Sequence, residues 1–542
     1  MRIPPGVSQS SWAEALKGFQ EAVGSQWVFT SDEDVALYKD AYSPFYAEAD
    51  ELVASAGVAP ASAEEVQKVV RVANRYRIPI YPISTGKNLG YGGSAPNLSG
   101  SVVLDLKRMN KIIEVDEARA YALVEPGVSY FDLYRYIQEK GLKLWIDCPD
   151  PGWGSPIGNS LDHGVGYTTN HFRNHFDSHC GMEVVLANGE IVRTGMGALP
   201  GAQTWQQYKF RVGPWVDGIF SQSNFGVVTK MGFWLMPAPE AYLSGTVTVP
   251  RFDDLHRLVD VVNYLENLGV TNGMPGFGSP LFFRGGFFGP RKPDPAVVAL
   301  FAKGEPSPPE VDEYAHRQGT GVWSATLGFY GGEITNAANW EYCKQKFADI
   351  PGVQFAQGDH YKLPLTPDQQ TMFDLPRFGT PSLQRFVIGA RSATNPNPTN
   401  GHIWFSPIIP RSGQAILDIN RVLRPHFDEL GMRGAATAFM LPAGYFERSF
   451  IFTFGFPISH DPQANKRMRE TFHTVAKLCA AQGWGEYRAP PAFQQLIVDT
   501  YSYNNHALRK LHETLKDAID PNGILAAGRY GIWPKHLRNG QA

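Results

Sequence analysis

The chain has 542 residues, a formal net charge of −3, 43% hydrophobic residues and 19% charged residues. This length exceeds one ordinary domain, and the composition is typical of globular proteins. The charge balance argues against a broad basic surface for nucleic acid, and no apolar run is long enough to predict a membrane-spanning helix.

The first 240 residues carry the patterns of a mixed α and β domain. Residues 63–76 have apolar side chains at helical spacing, and the apolar run 81–83 follows as a predicted strand. A glycine-rich loop, 84–96, then precedes the β-branched run 100–106, a second predicted strand. Patterns of a strand, a helix and a hairpin follow, in that order, at 121–127, 129–141 and 183–195.

From about residue 245 a strand pattern followed by a helix pattern occurs twice, which predicts a second α+β domain. These two pairs cover, in chain order, 245–250, 253–269, 322–332 and 336–350. The intervening residues 289–313 combine prolines with charges of both signs, which predicts a surface excursion and not a core element. Three further helices are predicted at 413–430, 463–481 and 502–518.

The loop from Ser84 to Gly93 contains four glycines. Because glycine has no Cβ, such a loop can turn its backbone N–H groups inward and form a nest for an anion such as a pyrophosphate. Glycine-rich surface turns are also common, so the loop alone leaves both interpretations open. The chain has no Walker pattern and no GxGxxG that opens a helix, so any nucleotide must be held in another way.

Three other segments carry residue types that could do chemistry. Asp150 lies in a loop bounded by proline and glycine and could act as a base, although aspartate beside proline is more often a turn residue. His402 begins an aromatic and apolar run, where a structural histidine is the alternative. Tyr487 and Arg488 are adjacent and could share one anion, because phenol and guanidinium both donate hydrogen bonds; a structural pair is the other interpretation.

His171, His175 and His179, beside Cys180, superficially resemble metal ligands. Their spacing is meaningful only on a helix, and no carboxylate motif accompanies them, so we predict no metal site. The four cysteines lack CxxC spacing, which favours thiols in a reducing compartment; they are Cys148, Cys180, Cys343 and Cys479. The termini show neither a secretory signal nor a peroxisomal tripeptide, so we expect a soluble cytoplasmic protein.

Seven segments taken together and in order resemble the vanillyl-alcohol oxidase family, in its vanillyl-alcohol and eugenol oxidase branch. The resemblance extends over nearly the whole chain, and so many ordered segments are far more specific than any one of them. The segments are 86–96, 149–168, 182–200, 218–237, 402–408, 483–488 and 520–529.

The resemblance implies an α+β fold with two kinds of domain. A PCMH-type FAD-binding domain of two subdomains would cover residues 1–240 and be completed by 495–542. A cap domain, α+β over a large antiparallel sheet, would cover 241–494 and carry the flavin histidine. This division agrees with the change of pattern near residue 240.

By the same resemblance the cofactor is FAD, attached covalently through its 8α-methyl group to His402. Some relatives use tyrosine for this bond, and the histidine favours the oxidase branch. The loop from Ser84 to Gly93 would hold the pyrophosphate. The remaining cofactor-binding positions implied are Ser84, Thr85, Gly86, Lys87, Asn88, Gly90, Gly92, Gly158, Asn159, Gly226, Val228 and Arg529.

The implied activity is oxidation of para-substituted phenols of the vanillyl alcohol, eugenol or 4-alkylphenol type. Tyr91, Tyr487 and Arg488 match the residues that hold the substrate as a phenolate, Asp150 matches the acid/base beside flavin N5, and Tyr167 matches a further tyrosine of the site. Hydride would leave the benzylic carbon for flavin N5, giving a quinone methide. Oxygen would then be reduced to hydrogen peroxide.

The resemblance implies several further features. Thr437 and Phe439 would line the substrate pocket, and Pro149 matches a position that gates oxygen in oxidases. Trp153 interrupts the usual run of three glycines, while His163 and His171 depart from the family and receive no role. The long insertion that joins dimers into octamers is lacking, so a homodimer is expected, without nucleic acid or membrane partners.

Three alternatives remain open. A dehydrogenase of the same fold would pass electrons to a cytochrome. An FAD-linked hydroxy-acid or sugar oxidase would use Arg488 to bind a carboxylate. A non-enzymatic flavin-binding protein would leave these residues without chemistry.

Overall fold

The computed structural model describes residues 2–280, 299–300, 305–371, 374–384, 401–427, 444–446, 448–459 and 461–540. The helices are α1 Gln9–Val23, α2 Asp32–Ala36, α3 Ala63–Tyr76, α4 Tyr130–Glu139, α5 Pro156–Leu161, α6 Asn170–Arg173, α7 Asp254–Asn267, α8 Pro308–Arg317, α9 Glu333–Phe347, α10 Gly413–Phe427, α11 Pro462–Ala481, α12 Gln494–Thr500 and α13 Tyr503–Ile519.

The strands of the first half are β1 Val28–Phe29, β2 Ala56–Val58, β3 Ile80–Ile83, β4 Val102–Asp105, β5 Ile112–Asp116, β6 Tyr121–Val124, β7 Leu144–Trp145, β8 His179–Val185, β9 Ile191–Arg193, β10 Val227–Trp234 and β11 Met236–Pro237. Those of the second half are β12 Ala241–Val249, β13 Gly276–Gly278, β14 Trp323–Gly331, β15 Gln354–Lys362, β16 His402–Phe405, β17 Ile408–Pro410, β18 Gly444–Phe446, β19 Ser449–Ile451 and β20 Phe454–Pro457.

The first sheet has the strand order β1-β2-β4-β3, with β2, β4 and β3 parallel. The predicted helix 63–76 is confirmed as α3. Ser62 caps its first turn by accepting a hydrogen bond from the Glu65 N–H, and its buried valines pack onto this sheet. The C-terminal segment joins the same sheet, because the Ile80 N–H donates to the Ile524 carbonyl at 2.7 Å.

The second sheet is antiparallel, in the order β5-β6-β10-β8-β9. The predicted hairpin is confirmed as β8 and β9, closed by a turn in which Gly189 has φ +82°. Helix α3 joins the two sheets, since Asn74 donates to the Ala187 carbonyl at 3.1 Å and Gln67 to the Gly189 carbonyl at 2.6 Å. The glycine loop begins directly after β3, the last strand in the order of the first sheet.

The second half of the chain forms a four-stranded antiparallel sheet, β13-β14-β12-β15, and two smaller sheets, β16-β20 and β17-β19-β18. Both predicted strand–helix pairs are confirmed, as β12 with α7 and β14 with α9. Strand β12 begins at Ala241, before the predicted position 245, and Tyr242 at its start is buried against Tyr330 and Phe378.

The prediction of a surface excursion over 289–313 is wrong at its C-terminal end. Helix α8 begins at Pro308, after a capping box in which Ser307 and Glu310 bond each other. Val311 and Tyr314 are buried in the same core as α7 and β14. The prolines at the start of this helix favoured the prediction of a loop. Its buried face is defined only by tertiary packing, which the local sequence does not show. Residues 281–298 and 301–304 of this region lie outside the described residues.

The three C-terminal helices are also confirmed within the described residues, as α10, α11 and α13. Residues 428–430 of the first prediction lie outside them. In α13, residues Asn504, Asn505 and His506 have left-handed φ and ψ, so regular helix geometry begins after them. No helix in the described part of the chain has the length and apolar character needed to cross a bilayer.

A buried ion-pair cluster joins the two halves of the chain. Glu266 on α7 accepts hydrogen bonds from Arg173 on α6, at 2.5 Å, and from Arg411 after β17. The three side chains are 2–3% exposed. Removing one member of such a cluster leaves charge buried without its counter-ion, which is strongly destabilising.

We therefore expect Glu266→Gln to lower the free energy of unfolding by about 3–5 kcal/mol, as measured by urea denaturation followed by tryptophan fluorescence. The matched control is Glu313→Gln, because the side chain of Glu313 is 69% exposed and lies 3.9 Å from Arg317. Equal unfolding midpoints for the two variants would contradict the role of the cluster.

Candidate cofactor and substrate site

One cleft brings together segments that are far apart in the chain. It is lined by parts of the glycine loop 84–93, of 149–162 and of 222–228, together with Arg488 and Arg529. Ten of the twelve non-covalent cofactor positions named above line it; they are Ser84, Gly86, Lys87, Asn88, Gly92, Gly158, Asn159, Gly226, Val228 and Arg529. Thr85 is buried beside it, and Gly90 contacts His402 instead.

The glycines of this cleft are required by close packing. Gly86 has φ +64°, and a methyl group there would overlap the Ser94 hydroxyl. A methyl group at Gly158 would overlap the Ser84 hydroxyl. The backbone of the loop therefore lines the cleft directly, as a concave site for a bound anion requires.

Strand β16 holds the glycine loop through side chains on one of its faces. Trp404 donates from Nε1 to the Leu89 carbonyl at 2.7 Å and from its backbone N–H to the Gly90 carbonyl at 3.0 Å. The Ser406 hydroxyl lies 2.5 Å from the Tyr91 hydroxyl. Because side chains alternate along a strand, His402 lies on the same face as Trp404 and Ser406. The intervening side chains, Ile403 and Phe405, enter the core.

His402 is 4% exposed, and neither ring nitrogen has a hydrogen-bond partner among the described residues. Burial lowers the pKa of His402 to about 4, so its imidazole is neutral at pH 7. A methyl group at Gly90 would lie 2.8 Å from His402 Nε2 and 2.7 Å from Trp404 Cδ1. The imidazole therefore presents a lone pair that no described residue uses, beside the loop that lines the cleft.

Tyr91, Tyr487 and Arg488, which the resemblance groups in one site, are close to one another. The two tyrosine rings lie edge to face with centroids 6.1 Å apart, and the Arg488 guanidinium carbon lies 4.7 Å from the Tyr91 ring centroid. Arg488 is buried, and its Nε has no hydrogen-bond partner among the described residues. Burial raises the pKa of Tyr91, so this tyrosine remains a neutral donor beside the cation.

Asp150 lines the same cleft and interacts with Tyr167. The Tyr167 hydroxyl donates to Asp150 Oδ2 at 2.5 Å, and the Tyr167 N–H donates to Asp147 Oδ1 at 2.8 Å. Pro149 also lines the cleft. A carboxylate held by a hydroxyl donor thus faces the cavity that the glycine loop and Arg488 line. This arrangement can hold an anion at one end and handle a proton at the other.

Asp162 is a member of the site that sequence reasoning missed. It accepts hydrogen bonds from Arg529 Nη2 at 2.7 Å and from Tyr530 Oη at 3.0 Å, and it lies 3.9 Å from Arg488. Burial acts to raise its pKa, but Arg529 and Arg488 hold the pKa below its ordinary value. In the sequence near Asp162, the only feature that could have indicated a role in the site is its position between two glycine-rich stretches.

The histidines have separate partners. His175 lies 3.5 Å from Asp147, His179 lies 3.1 Å from Asp217, and His163 lies 3.0 Å from the Ser221 hydroxyl. Within the described ranges, no three His, Cys, Asp or Glu residues are grouped as metal ligands. Trp153 packs against the core of the second half with Lys87 5.4 Å from its ring, and His171 is exposed. The pocket predictions at Thr437 and Phe439 fall outside the described residues.

Comparison with known proteins gives concordant results. Residues 54–195 match a family model described as an FAD binding domain. The chain is 33% identical to the flavoprotein subunit of 4-cresol dehydrogenase [hydroxylating] from Pseudomonas putida, over 98% of this chain and 97% of that one.

Two solved structures are similar over almost their full length. The 4-ethylphenol oxidase from Gulosibacter chungangensis, in complex with isoeugenol, has a TM-score of 0.80 and 33% identity over 99% of this chain and 100% of that one. p-Cresol methylhydroxylase with substrate bound has a TM-score of 0.78 and 31% identity over 98% and 99%. The fold is therefore the PCMH-type FAD-binding fold, with mixed helices and sheets.

The contact between Gly90 and His402 generates a test. A methyl group in Gly90→Ala must displace His402 or Trp404. We therefore expect the FAD bound per purified chain to fall by about tenfold or more, which corresponds to a loss of ~1.4 kcal/mol or more in the free energy of FAD binding. Flavin absorbance relative to protein absorbance measures this content. Gly141→Ala is the matched control, because Gly141 also has positive φ but nothing lies within 4 Å of a methyl group there. Equal flavin content in both variants would contradict the proposed contact.

Proposed function

The chain belongs to the vanillyl-alcohol oxidase and p-cresol methylhydroxylase family of FAD-binding proteins, and from that membership we propose that it is an oxidase of para-substituted phenols. The proposal includes FAD bound covalently to His402. It is supported by relatives that act on 4-cresol and 4-ethylphenol and that match this chain over almost its full length.

The observation that carries the proposal is the composition of one cleft. Its lining combines the glycine loop with Asp150, Tyr91 and Arg488. A site for a sugar or a hydroxy acid would not require two tyrosines beside the arginine. The edge-to-face packing of Tyr91 and Tyr487 near Arg488 favours an aromatic anion, whose ring and oxygen both find partners.

The residues of the cleft are suitable for FAD. The glycine loop would hold the pyrophosphate, and the unpartnered nitrogens of His402 would provide the covalent bond to the flavin. When bound, FAD supplies the acceptor for the hydride that leaves the substrate carbon attached to the ring. Burial keeps His402 neutral, and only a neutral imidazole has the lone pair that such a bond requires.

Arg488 and the two tyrosines would bind the substrate as its phenolate. A free phenol has a pKa near 10, and a buried cation with two hydroxyl donors favours the ionised form. Negative charge on the oxygen delocalises through the ring to the para position. This clamp of Arg488, Tyr91 and Tyr487 would thereby favour loss of hydride from the carbon attached at the para position, and it would stabilise the para-quinone methide that remains.

Asp150 would handle the proton at the opposite end of the substrate. For a benzylic alcohol it accepts the hydroxyl proton as an aldehyde forms, and for an alkylphenol it activates the water that adds to the quinone methide. Tyr167 donates to Asp150 Oδ2 and thereby holds the carboxylate in place. Pro149, beside Asp150 in the cleft lining, would control the access of oxygen.

The domain division and assembly also remain proposals. Residues 1–240 with 495–542 would form the FAD domain and 241–494 the cap, which is supported by the pairing of Ile80 with Leu525. Lys516, fully buried, adds to that support by donating to the carbonyls of Leu525 and Asn224. We further propose a cytoplasmic homodimer, with Thr437 and Phe439 lining the substrate pocket.

A second candidate is a dehydrogenase that passes electrons to a cytochrome. It is favoured by the similarity to 4-cresol dehydrogenase, which equals in identity the similarity to 4-ethylphenol oxidase. The two functions share the clamp and the acid/base and differ in what reoxidises the flavin. The presence of Pro149 in the cleft favours the oxidase.

Reoxidation of the flavin separates the oxidase from the dehydrogenase. Purified protein is mixed anaerobically with vanillyl alcohol, eugenol or 4-ethylphenol and is then opened to air, while flavin absorbance is recorded. We expect bleaching by at least one phenol, followed by rapid recovery with formation of hydrogen peroxide. Bleaching that persists in air until a cytochrome is added would identify the dehydrogenase. Absence of bleaching by every phenol would refute phenol oxidation.

A further prediction concerns the proposed phenolate clamp of Arg488, Tyr91 and Tyr487. Arg488→Met should lower kcat/KM for the best of these phenols by about 100-fold or more, because the charge that stabilises the phenolate is lost. The rate of anaerobic flavin bleaching measures the effect directly. Arg257→Met is the control, since Arg257 pairs with Asp349 at the exposed surface. An Arg488 variant that reduces flavin at the wild-type rate would show that the substrate does not bind as a phenolate there.

A further inference from the structure

A buried glutamate lies directly behind the residues of the clamp. Glu486 precedes Tyr487 in the chain and is 8% exposed. Its Oε1 accepts a hydrogen bond from the Ser406 backbone N–H at 2.6 Å, and its Oε2 has no hydrogen-bond partner among the described residues. Burial raises the pKa of Glu486 well above its usual range, and the hydrogen bond from the Ser406 N–H, which acts to lower the pKa, is the smaller effect.

Glu486 is connected to the substrate tyrosine through Ser406. The Ser406 backbone bonds Glu486, and the Ser406 side chain lies 2.5 Å from the Tyr91 hydroxyl. Ser406 is fully buried. The neighbouring backbone is fixed as well, because Pro407 and Glu486 form an antiparallel bridge and the Ile408 N–H donates to the Gly485 carbonyl at 2.8 Å. The position of the Tyr91 hydroxyl therefore depends on this short chain of contacts.

The charge state of Glu486 matters to any anion in the cleft. A negative charge on Glu486 raises the pKa of Tyr91, whereas Arg488 lowers it. A phenol bound beside Tyr91 would be subject to the same two opposing effects. Among the described residues, Cys479 and Tyr501 are further titratable groups that interact with Glu486; burial raises the pKa of both, so both remain neutral at pH 7 and add no charge of either sign.

We propose that Glu486 is a positioning residue that remains a neutral carboxylic acid at neutral pH. It fixes Ser406 and, through it, Tyr91, and its neutrality leaves the positive charge of Arg488 uncompensated on that side of the substrate. The inference rests on the proposed phenol-binding function and adds a role for a residue that is not part of the cleft lining.

The test uses 4-nitrophenol, a para-substituted phenol with no benzylic hydride, whose phenol and phenolate forms absorb differently. Its Kd and the ionised fraction of the bound form are measured with the flavin-loaded protein. Glu486→Ala leaves the buried Ser406 N–H without an acceptor, so we expect the Kd to rise by about tenfold. Glu486→Gln supplies a neutral acceptor of the same shape and should rescue most of that loss.

Ser406→Ala is the second variant, because it retains the backbone bond to Glu486 and removes only the contact with Tyr91. We expect it to reproduce the weaker 4-nitrophenol binding with normal flavin content, which shows that the chain has folded. A Ser406→Ala variant that binds 4-nitrophenol like the wild type would overturn the link from Glu486 to Tyr91.

An ionised Glu486 would give the opposite result in the glutamine variant. Glu486→Gln would then remove a negative charge, tighten binding by about tenfold or more and raise the ionised fraction of bound 4-nitrophenol. That outcome would overturn the inference. So would equal weakening in the glutamine and alanine variants.

Infrared difference spectra distinguish failure of this inference from failure of the proposed function. Without any phenol, the wild type at pH 7 should show the C=O stretch of a protonated carboxylic acid that Glu486→Gln lacks. Absence of that band overturns the neutral acid even if phenols bleach the flavin. If the band is present but the wild type binds no 4-nitrophenol, the proposed function fails, and the positioning role of Glu486 fails with it.

Discussion

The hydrogen bonds between strand β16 and the glycine loop are the contact on which the rest of the site depends. Through Trp404 the strand fixes the carbonyls of Leu89 and Gly90, and at its two ends it places His402 and Ser406 on the same side. The period of a β-strand sets the spacing between these positions. The proposed cofactor anchor and the tyrosine of the proposed phenol clamp are therefore held by one rigid element, and neither can shift without the other.

Two buried carboxyl groups near the clamp differ in charge because they differ in partners. Asp162 faces Arg529 and Arg488, and these cations keep it ionised despite burial. Glu486 has no ion-pair partner in the described part of the chain, and burial keeps its proton in place. Burial acts to raise both pKa values, and the presence of cations beside Asp162 reverses the outcome for that group.

Much of this fold follows from local sequence, whereas the contacts that complete the site do not. Helix α3, the β8–β9 hairpin and the two strand–helix pairs have periodic patterns that are read within one segment. Helix α8 was missed because its buried face is defined only by the core it packs against. Tyr91 and Arg488 were brought together by resemblance alone, since no local rule joins residues so distant in sequence. Asp162 and Glu486 lack any motif, and only their partners in space reveal their charge states.

The site is assembled from both halves of the chain, and this ties activity to the packing between them. The glycine loop and Asp150 come from the first half, whereas His402 and Arg488 come from the second. The Glu266 cluster joins the same two halves away from the cleft. Because packed interfaces deform little before they separate, a loss of that cluster should act on the clamp through the relative position of the halves. Stability and substrate binding thus share one interface, although no residue of the cluster lines the cleft.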